Sequence, residues 1–275
     1  MSTAYRVTNP DPATTRAYAV STAQALKAMV HKRPRIHCIS NTVAMEFTAD
    51  ILMAIGAHPS MTMGQEEIAE FVASANSLNI NIGTLDTQRR TVIMQAILTA
   101  LDFKKPWILD PVSVHASDNR CAYALELLEM RPTVICGNSA EIHTLAGSWS
   151  PHAPQLLAQK TGAIVAQTGE TDLVTDGTRT VMIANGDPMQ TRVSAMGCVA
   201  NALIAGFLAL DHDAFDATVQ ALLTLGVAAE QAVVKAAGPG SFHMHLLDEL
   251  YRLDEATLIR AGHIVPVEEV MSEAS

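Results

Sequence analysis

A chain of 275 residues, 49% hydrophobic and only 17% charged, carries enough apolar material for a sizeable core. Its net charge of −10 and pI near 5.4 argue against nucleic acid or an anionic membrane as the main partner, because both need basic surface. Four cysteines (Cys38, Cys121, Cys136 and Cys198) lie far apart with no CxxC pair, as expected of a reduced, cytoplasmic protein and not of a disulfide scaffold.

In chain order, residues 1–20 are polar, include Pro10 and Pro12, and read as a flexible arm without the basic-then-apolar layout of a signal peptide. Helical spacing over 23–31 precedes a strand over 35–39 that ends in Ser40-Asn41. Over 42–55 the apolar positions Val43, Phe47, Ile51, Leu52 and Ile55 recur at helical period, and Gly56 closes the segment. The alternation then repeats. A strand over 58–62, a helix over 65–75 and a strand over 78–82 lead to a helix over 86–103 with Asp86 as its N-cap. A strand over 107–110, stopped by Pro111, is followed by a helix over 119–130, a strand over 133–136 and a helix over 139–146. A loop over 147–154 and a helix near 155–160 complete this half.

Short strands over 163–167, 172–175, 180–183 and 189–193 follow at close spacing, with turns at Gly169-Glu170, Asp176-Gly177 and Asn185 to Asp187. Such spacing suits antiparallel pairing at a sheet edge. Helices over 197–210, 214–237 and 241–254 come last, and the apolar run over 199–210 is too short to span a bilayer. No linker and no internal repeat interrupts the pattern. The expected fold is a single α/β domain over 21–262 with a C-terminal tail over 263–275: a three-layer sandwich whose mostly parallel central sheet has helices on both faces and an antiparallel edge.

In such a fold the ligand lies beyond the carboxyl ends of the parallel strands. That rule selects Asn41, Met61, Asn81, Asp110, Asn138 with Glu141, Thr168 with Gly169, and the stretch from Ala195 to Cys198 that opens an apolar helix. The first turn of a helix has unpaired N–H groups and partial positive charge, so 195–199 forms an anion cradle. Cys198 in that cradle reads either as a thiol whose thiolate is stabilised or as one small buried residue. Asp110 and Glu141 meet at the same rim, which suits Mg²⁺ with phosphate oxygens; each alone reads as a turn or first-turn carboxylate. Metal, cradle and thiol together point to phosphoryl transfer. Neither a Walker P-loop nor a GxGxxG fingerprint is present. The histidines, including His31 with His37 and His243 with His245, have no helical metal spacing.

Several short segments taken together, Asn41-Thr42-Val43 with Phe47 to Leu52, Gly56 to Met61, Asn81 to Thr84, Leu109 to Val112, Gly137-Asn138 with Glu141, Thr168-Gly169 with Asp172, Gly197-Cys198 and Gly238 to Phe242, resemble the hydroxyethylthiazole kinases. The match runs in order from about residue 30 to 250. The resemblance implies a ribokinase-like fold, ATP as co-substrate, Mg²⁺, and phosphorylation of the alcohol of 4-methyl-5-(2-hydroxyethyl)thiazole in thiamine salvage. It also implies a homotrimer with sites between subunits. By the same resemblance Cys198 takes the catalytic position, and Asn41, Val43, Met61 and Ala195 line the thiazole pocket. Cys136, Asn138, Thr168 and Gly197 fall on the nucleotide, and Asp110 and Glu141 on the metal and phosphates.

The chain departs from the family pattern around the phosphate path. Ala195-Met196-Gly197-Cys198 stands where the family has Gly-x-Gly-Cys, Cys136 where it has a phosphate-contacting arginine, Ser113-Val114-His115 where it has a Gly-rich turn, and Asp50 where it has asparagine. If position 195 requires positive φ, alanine there costs on the order of 1 kcal/mol. Arg120 and Arg192 are alternative sources of a phosphate contact. Two other readings follow from these changes: a kinase of another small hydroxylated heterocycle, and a catalytically weak thiazole- or nucleotide-binding homologue.

Overall fold

Strands buried on both faces dominate the first part of the chain, as a parallel sheet covered by helices requires. The computed structural model describes residues 5–7, 12–210 and 213–269. Six parallel strands run β3 (His58–Ser60), β2 (Arg35–Ile39), β4 (Ser77–Asn81), β5 (Trp107–Asp110), β6 (Val134–Asn138) and β7 (Ile164–Thr168) across the sheet. The sheet continues antiparallel through β8 (Asp172–Thr175), β9 (Thr180–Ile183), β10 (Ile264–Glu269) and β1 (Tyr5–Val7). Ten strands thus form one sheet among the described residues.

Two apolar layers flank it. On one face, α1 (Pro12–Lys32), α2 (Met45–Ala54), α8 (Met196–Leu208), α9 (Ala214–Lys235), α10 (Pro239–Arg252) and α11 (Glu255–Ala261) bury Met29, Leu52, Phe207, Phe215 and Phe242 against the strands. On the other, α3 (Ile68–Ser74), α4 (Thr87–Asp102), α5 (Asp118–Leu128), α6 (Ser139–Ala146) and α7 (Ala153–Thr161) bury Val72, Ile93, Leu127, Ile142 and Leu157. Helix α8 is apolar all round and every residue from Cys198 to Leu208 is buried, so it lies in the middle of its layer, against α9, β4 and β5. Helix α9 has the length and apolarity of a membrane span, but most of it is buried as a core helix.

Four expectations need correction. Residues 12–20 are not arm but the first turns of α1, whose stripe of Thr15, Ala19, Ala23 and Leu26 is buried; residues 1–4 and 8–11 lie outside the described residues. Small and hydroxylated side chains disguised that stripe as polar sequence. Residues 264–269 are not tail but β10, paired on both sides; residues 270–275 lie outside the described residues. The strand expected over 189–193 is a 3-10 turn, Pro188–Arg192, because Pro188 starts it and Asp187 and Gln190 cap it reciprocally. Finally, α11 follows α10 after a new cap at Asp254, where one helix was expected to end the fold.

Candidate active site

The parallel register brings the strand ends into one row, with Asn81 opposite Asp110 and Asn138 opposite Thr168, while the first turn of α8 lies over β4 and β5. Asn81 is the hub. Its side-chain N–H₂ donates to Asp110 Oδ2 at 2.5 Å and to Cys198 Sγ at 3.2 Å, and its carbonyl oxygen accepts the Gly83 N–H at 2.8 Å. A side chain at Gly83 would stand 2.6 Å from the Asn41 amide and 2.9 Å from that of Asn81, so only glycine lets the two asparagines close on each other.

Burial sets the chemistry of this cluster. Asp110 is 4% exposed, and burial, reinforced by the charge of Glu141, pushes its carboxyl up to about 8; hydrogen bonds from Asn81, Cys198 and the Val112 backbone oppose the shift. Burial also pushes the Cys198 thiol up to about 12, with Asp110 adding to it. Of the two readings of Cys198, the small buried residue is the one that the geometry fits. Cys198 is 8% exposed and beside the buried Asp110 carboxyl, so it is a neutral S–H donor at pH 7.

Glu141 also has a structural task. One of its oxygens accepts the Ser113 N–H at 2.7 Å and the other the Asn138 N–H at 2.8 Å, while the Asn138 side chain caps the Glu141 N–H at 3.0 Å. The carboxylate ties the loop after β5 to the start of α6, and its charge still bears on Asp110. Among the described residues no group of three or more His, Cys, Asp or Glu forms a metal cage by itself.

Helix α8 starts from Ala195, whose φ of 71° and ψ of 9° are left-handed, and no side chain caps it. Its first-turn N–H groups lack a side-chain cap at the position where the sequence suggested an anion cradle. Ser113, in the loop held by Glu141, is also left-handed at φ 55°. Thr168 is half-buried at the end of β7, next to Gly169, whose N–H is held by Asp172 at 3.0 Å; burial pushes the Asp172 carboxyl up to about 7.

Two expected positions look different in three dimensions. Cys136 is 0% exposed and packed in the core, so its side chain offers no surface to a nucleotide; its thiol is held well above normal by burial and then by Asp110, Asp172 and Glu141. Val43 is 73% exposed and lies outside any enclosed pocket of the single chain. Asn41 and Met61 are half-buried, as a lining requires, and Gly197 and Asn138 are open at the rim. Arg120 is engaged with the Val112 carbonyl at 2.8 Å, and Arg192 is exposed at the end of the 3-10 turn.

Sequence reasoning passed over Arg89 and His37. Arg89 is 5% exposed on the first turn of α4 and donates to the carbonyls of Ser40 and Asn81, at the ends of β2 and β4. His37 is buried in β2 against Ser60 and Thr62. The position of Arg89 three residues past the cap Asp86 was the available signal, since it turns the side chain back toward the strand ends. Elsewhere, a cavity of about 470 Å³ between α1, α2 and α10, lined by Leu26, Val30, Ala54 and Tyr251, contains none of these polar groups.

A mostly parallel sheet with an antiparallel edge, and a helix N-terminus set over its strand ends, is the arrangement of the ribokinase-like proteins. A ribokinase-like superfamily protein from Enterococcus faecalis V583 shares the fold with a TM-score of 0.63 over 81% of this chain and 88% of that one, at 12% identity. The profile of the Hydroxyethylthiazole kinase family matches residues 26–256, and the chain belongs to that family. It is similar to the hydroxyethylthiazole kinase of Granulibacter bethesdensis, at 42% identity over 258 residues, covering 89% of this chain and 94% of that one. The hydroxyethylthiazole kinase structure from Pyrococcus horikoshii OT3 matches with a TM-score of 0.87 and 37% identity, over 90% of this chain and 100% of that chain.

Proposed function

We infer that the chain phosphorylates the primary alcohol of 4-methyl-5-(2-hydroxyethyl)thiazole with ATP, a thiamine-salvage reaction. The observation that carries this reading, beside family membership, is the Asn81 hub. It holds a buried carboxyl and a neutral thiol against the open N-terminus of α8. The alcohol would attack the γ-phosphoryl group in line, with Cys198 orienting the hydroxyl and the α8 N–H groups receiving the charge on the transferred group. A thiol held near 12 is not a base at neutral pH, so its role is to position.

The donor set fits Mg²⁺. Among the described residues no cationic side chain pairs with Asp110, and a hard cation that keeps waters and phosphate oxygens needs only one or two protein carboxylates. Asp110 would hold it, with Glu141 acting through its charge; when bound it neutralises the phosphates. Thr168, Asn138 and Gly197 border the nucleotide side, and Asn41, Met61, Val43 and Ala195 the thiazole side. The exposed Val43 fits a homotrimer in which a second copy covers it, and four free cysteines support a reduced, cytoplasmic setting. A single kinase domain that takes in α1 from Pro12 and β10 as far as Glu269 fits the continuous sheet.

Ala195 and Ser113, two of the six left-handed non-glycine residues among those described, lie at the α8 terminus and in the loop held by Glu141, where backbone strain bears on turnover. The test is ADP release with MgATP, with and without the thiazole alcohol, alongside mass detection of the phosphate ester. Thiazole-dependent release that falls about tenfold or more in Cys198→Ala is the expected result. ADP release only with other alcohols would replace the substrate, and none from a folded, thiazole-binding protein would leave a binding function.

A further inference from the structure

We propose that His37 and Arg89 are positioning residues that set the thiazole side of the site by fixing the segment from Ser60 to Met63; this rests on the functional reading above, which places Met61 against the substrate. Both neighbours of Met61 are held by one buried imidazole. His37 Nε2 lies 3.2 Å from the Thr62 carbonyl, which only accepts, so Nε2 carries the proton and donates. Nδ1, 2.8 Å from Ser60 Oγ, then accepts the hydroxyl proton. The strand register places His37 directly opposite Ser60, so these bonds are made across the β2–β3 pair. Met61 therefore sits on a backbone pinned on either side.

Arg89 secures the next residue and the neighbouring walls. Its guanidinium donates to the Met63 thioether, to the Ser40 carbonyl at 3.0 Å and to the Asn81 carbonyl at 3.4 Å. Ser40 precedes Asn41, and Asn81 is the hub that holds Asp110 and Cys198. One side chain on α4 thus joins the segment carrying Met61, the strand end carrying Asn41 and the reacting centre. Among the described residues Arg89 makes no ion pair, and its Nε is buried without a partner. Asp86 acts on this guanidinium without forming a close ion pair, and a desolvated guanidinium outside such a pair is a poor choice for stability alone, since apolar replacement of buried charges is often neutral or stabilising. Its hydrogen bonds to three segments of the site give it another purpose.

The nucleotide side, from β6 to β8, receives no bond from either residue, so the two substrates separate the role. The experiment measures KM for the thiazole alcohol and for MgATP, kcat, and the thermal midpoint in wild type, Arg89→Met, Arg89→Lys, His37→Leu and His37→Gln. The expected result is a rise of about tenfold or more in the thiazole KM for Arg89→Met and His37→Leu, with the MgATP KM within about twofold. His37→Gln, whose amide can both donate and accept, recovers most of the loss. Arg89→Lys and His37→Gln remain informative if the apolar variants do not fold. Folded variants with both KM values unchanged, or with equal losses for both substrates, would overturn the proposal. A wild type that neither binds nor turns over the thiazole alcohol would instead overturn the functional reading and the proposal with it, so the two failures are distinguishable.

Discussion

At the scale of single residues, backbone strain and burial decide more than residue type. Ala195 occupies a left-handed conformation that glycine adopts freely, and its methyl group makes that state unfavourable by about 1 kcal/mol. Ala195→Gly is expected to raise stability by about 0.5–1 kcal/mol, read by urea unfolding, and to raise turnover if the cradle relaxes. Unchanged or lower stability would show that the surroundings already compensate. The need for glycine at 195 was legible in the sequence as a departure from a glycine pattern, whereas the choice between the two readings of Cys198 was not. A helix terminus favours a thiolate, but burial and Asp110 outweigh it, and neither is visible in a linear pattern. The burial of the Cys136 side chain in the core was likewise not legible.

His37 supplies a pH prediction. Burial lowers its pKa to about 4 from the usual 6.5, so on acidification the unfolded chain takes up a proton before the folded one does. Its contribution is fully present above pH 6.5 and is lost as the pH falls toward 4, amounting to on the order of 2 kcal/mol by pH 5. Unfolding free energies at pH 7 and pH 5 should therefore fall more steeply for wild type than for His37→Leu. Parallel slopes would show that the imidazole is not buried as described.

At the scale of elements, helices with an apolar stripe and a cap were legible, and those built from small residues or tertiary pairing were not. Asp86 was recognisable as a cap, and its Oδ1 does accept the Arg89 N–H at 2.7 Å. Asp86→Ala is expected to cost about 1 kcal/mol of stability by thermal or urea unfolding. A larger effect on the thiazole KM than on stability would show that the cap also steadies Arg89. The alternating strands and helices from β2 to β7 followed from periodicity because each strand is an apolar run between turns. The first turns of α1, hidden by threonine and alanine, and β10, which is paired between β9 and β1, depend on partners far along the chain, such as Thr15 with Ile264 and Ile264 with Ile183. A local window carries no trace of such partners.

At the scale of the whole molecule, the topology gathers Asn41, Met61, Asn81, Asp110 and Cys198 at one edge although they span most of the chain. The rule that ligands lie beyond parallel strand ends found most of this edge without coordinates. It did not find the hub role of Asn81, which depends on how far α8 reaches over β4. The exposure of Val43 carries an assembly prediction: sedimentation should give three times the 29.4 kDa chain mass, and Val43→Asp should shift it to smaller species. A monomer with full activity would contradict a shared site. The most direct test of the central claim, that the Asn81, Asp110 and Cys198 cluster is the phosphoryl-transfer centre, is the rate of thiazole-dependent ADP release in Asn81→Ala beside wild type. The account predicts a fall of about hundredfold with the MgATP KM little changed. A folded Asn81→Ala variant that turns over at the wild-type rate would contradict it.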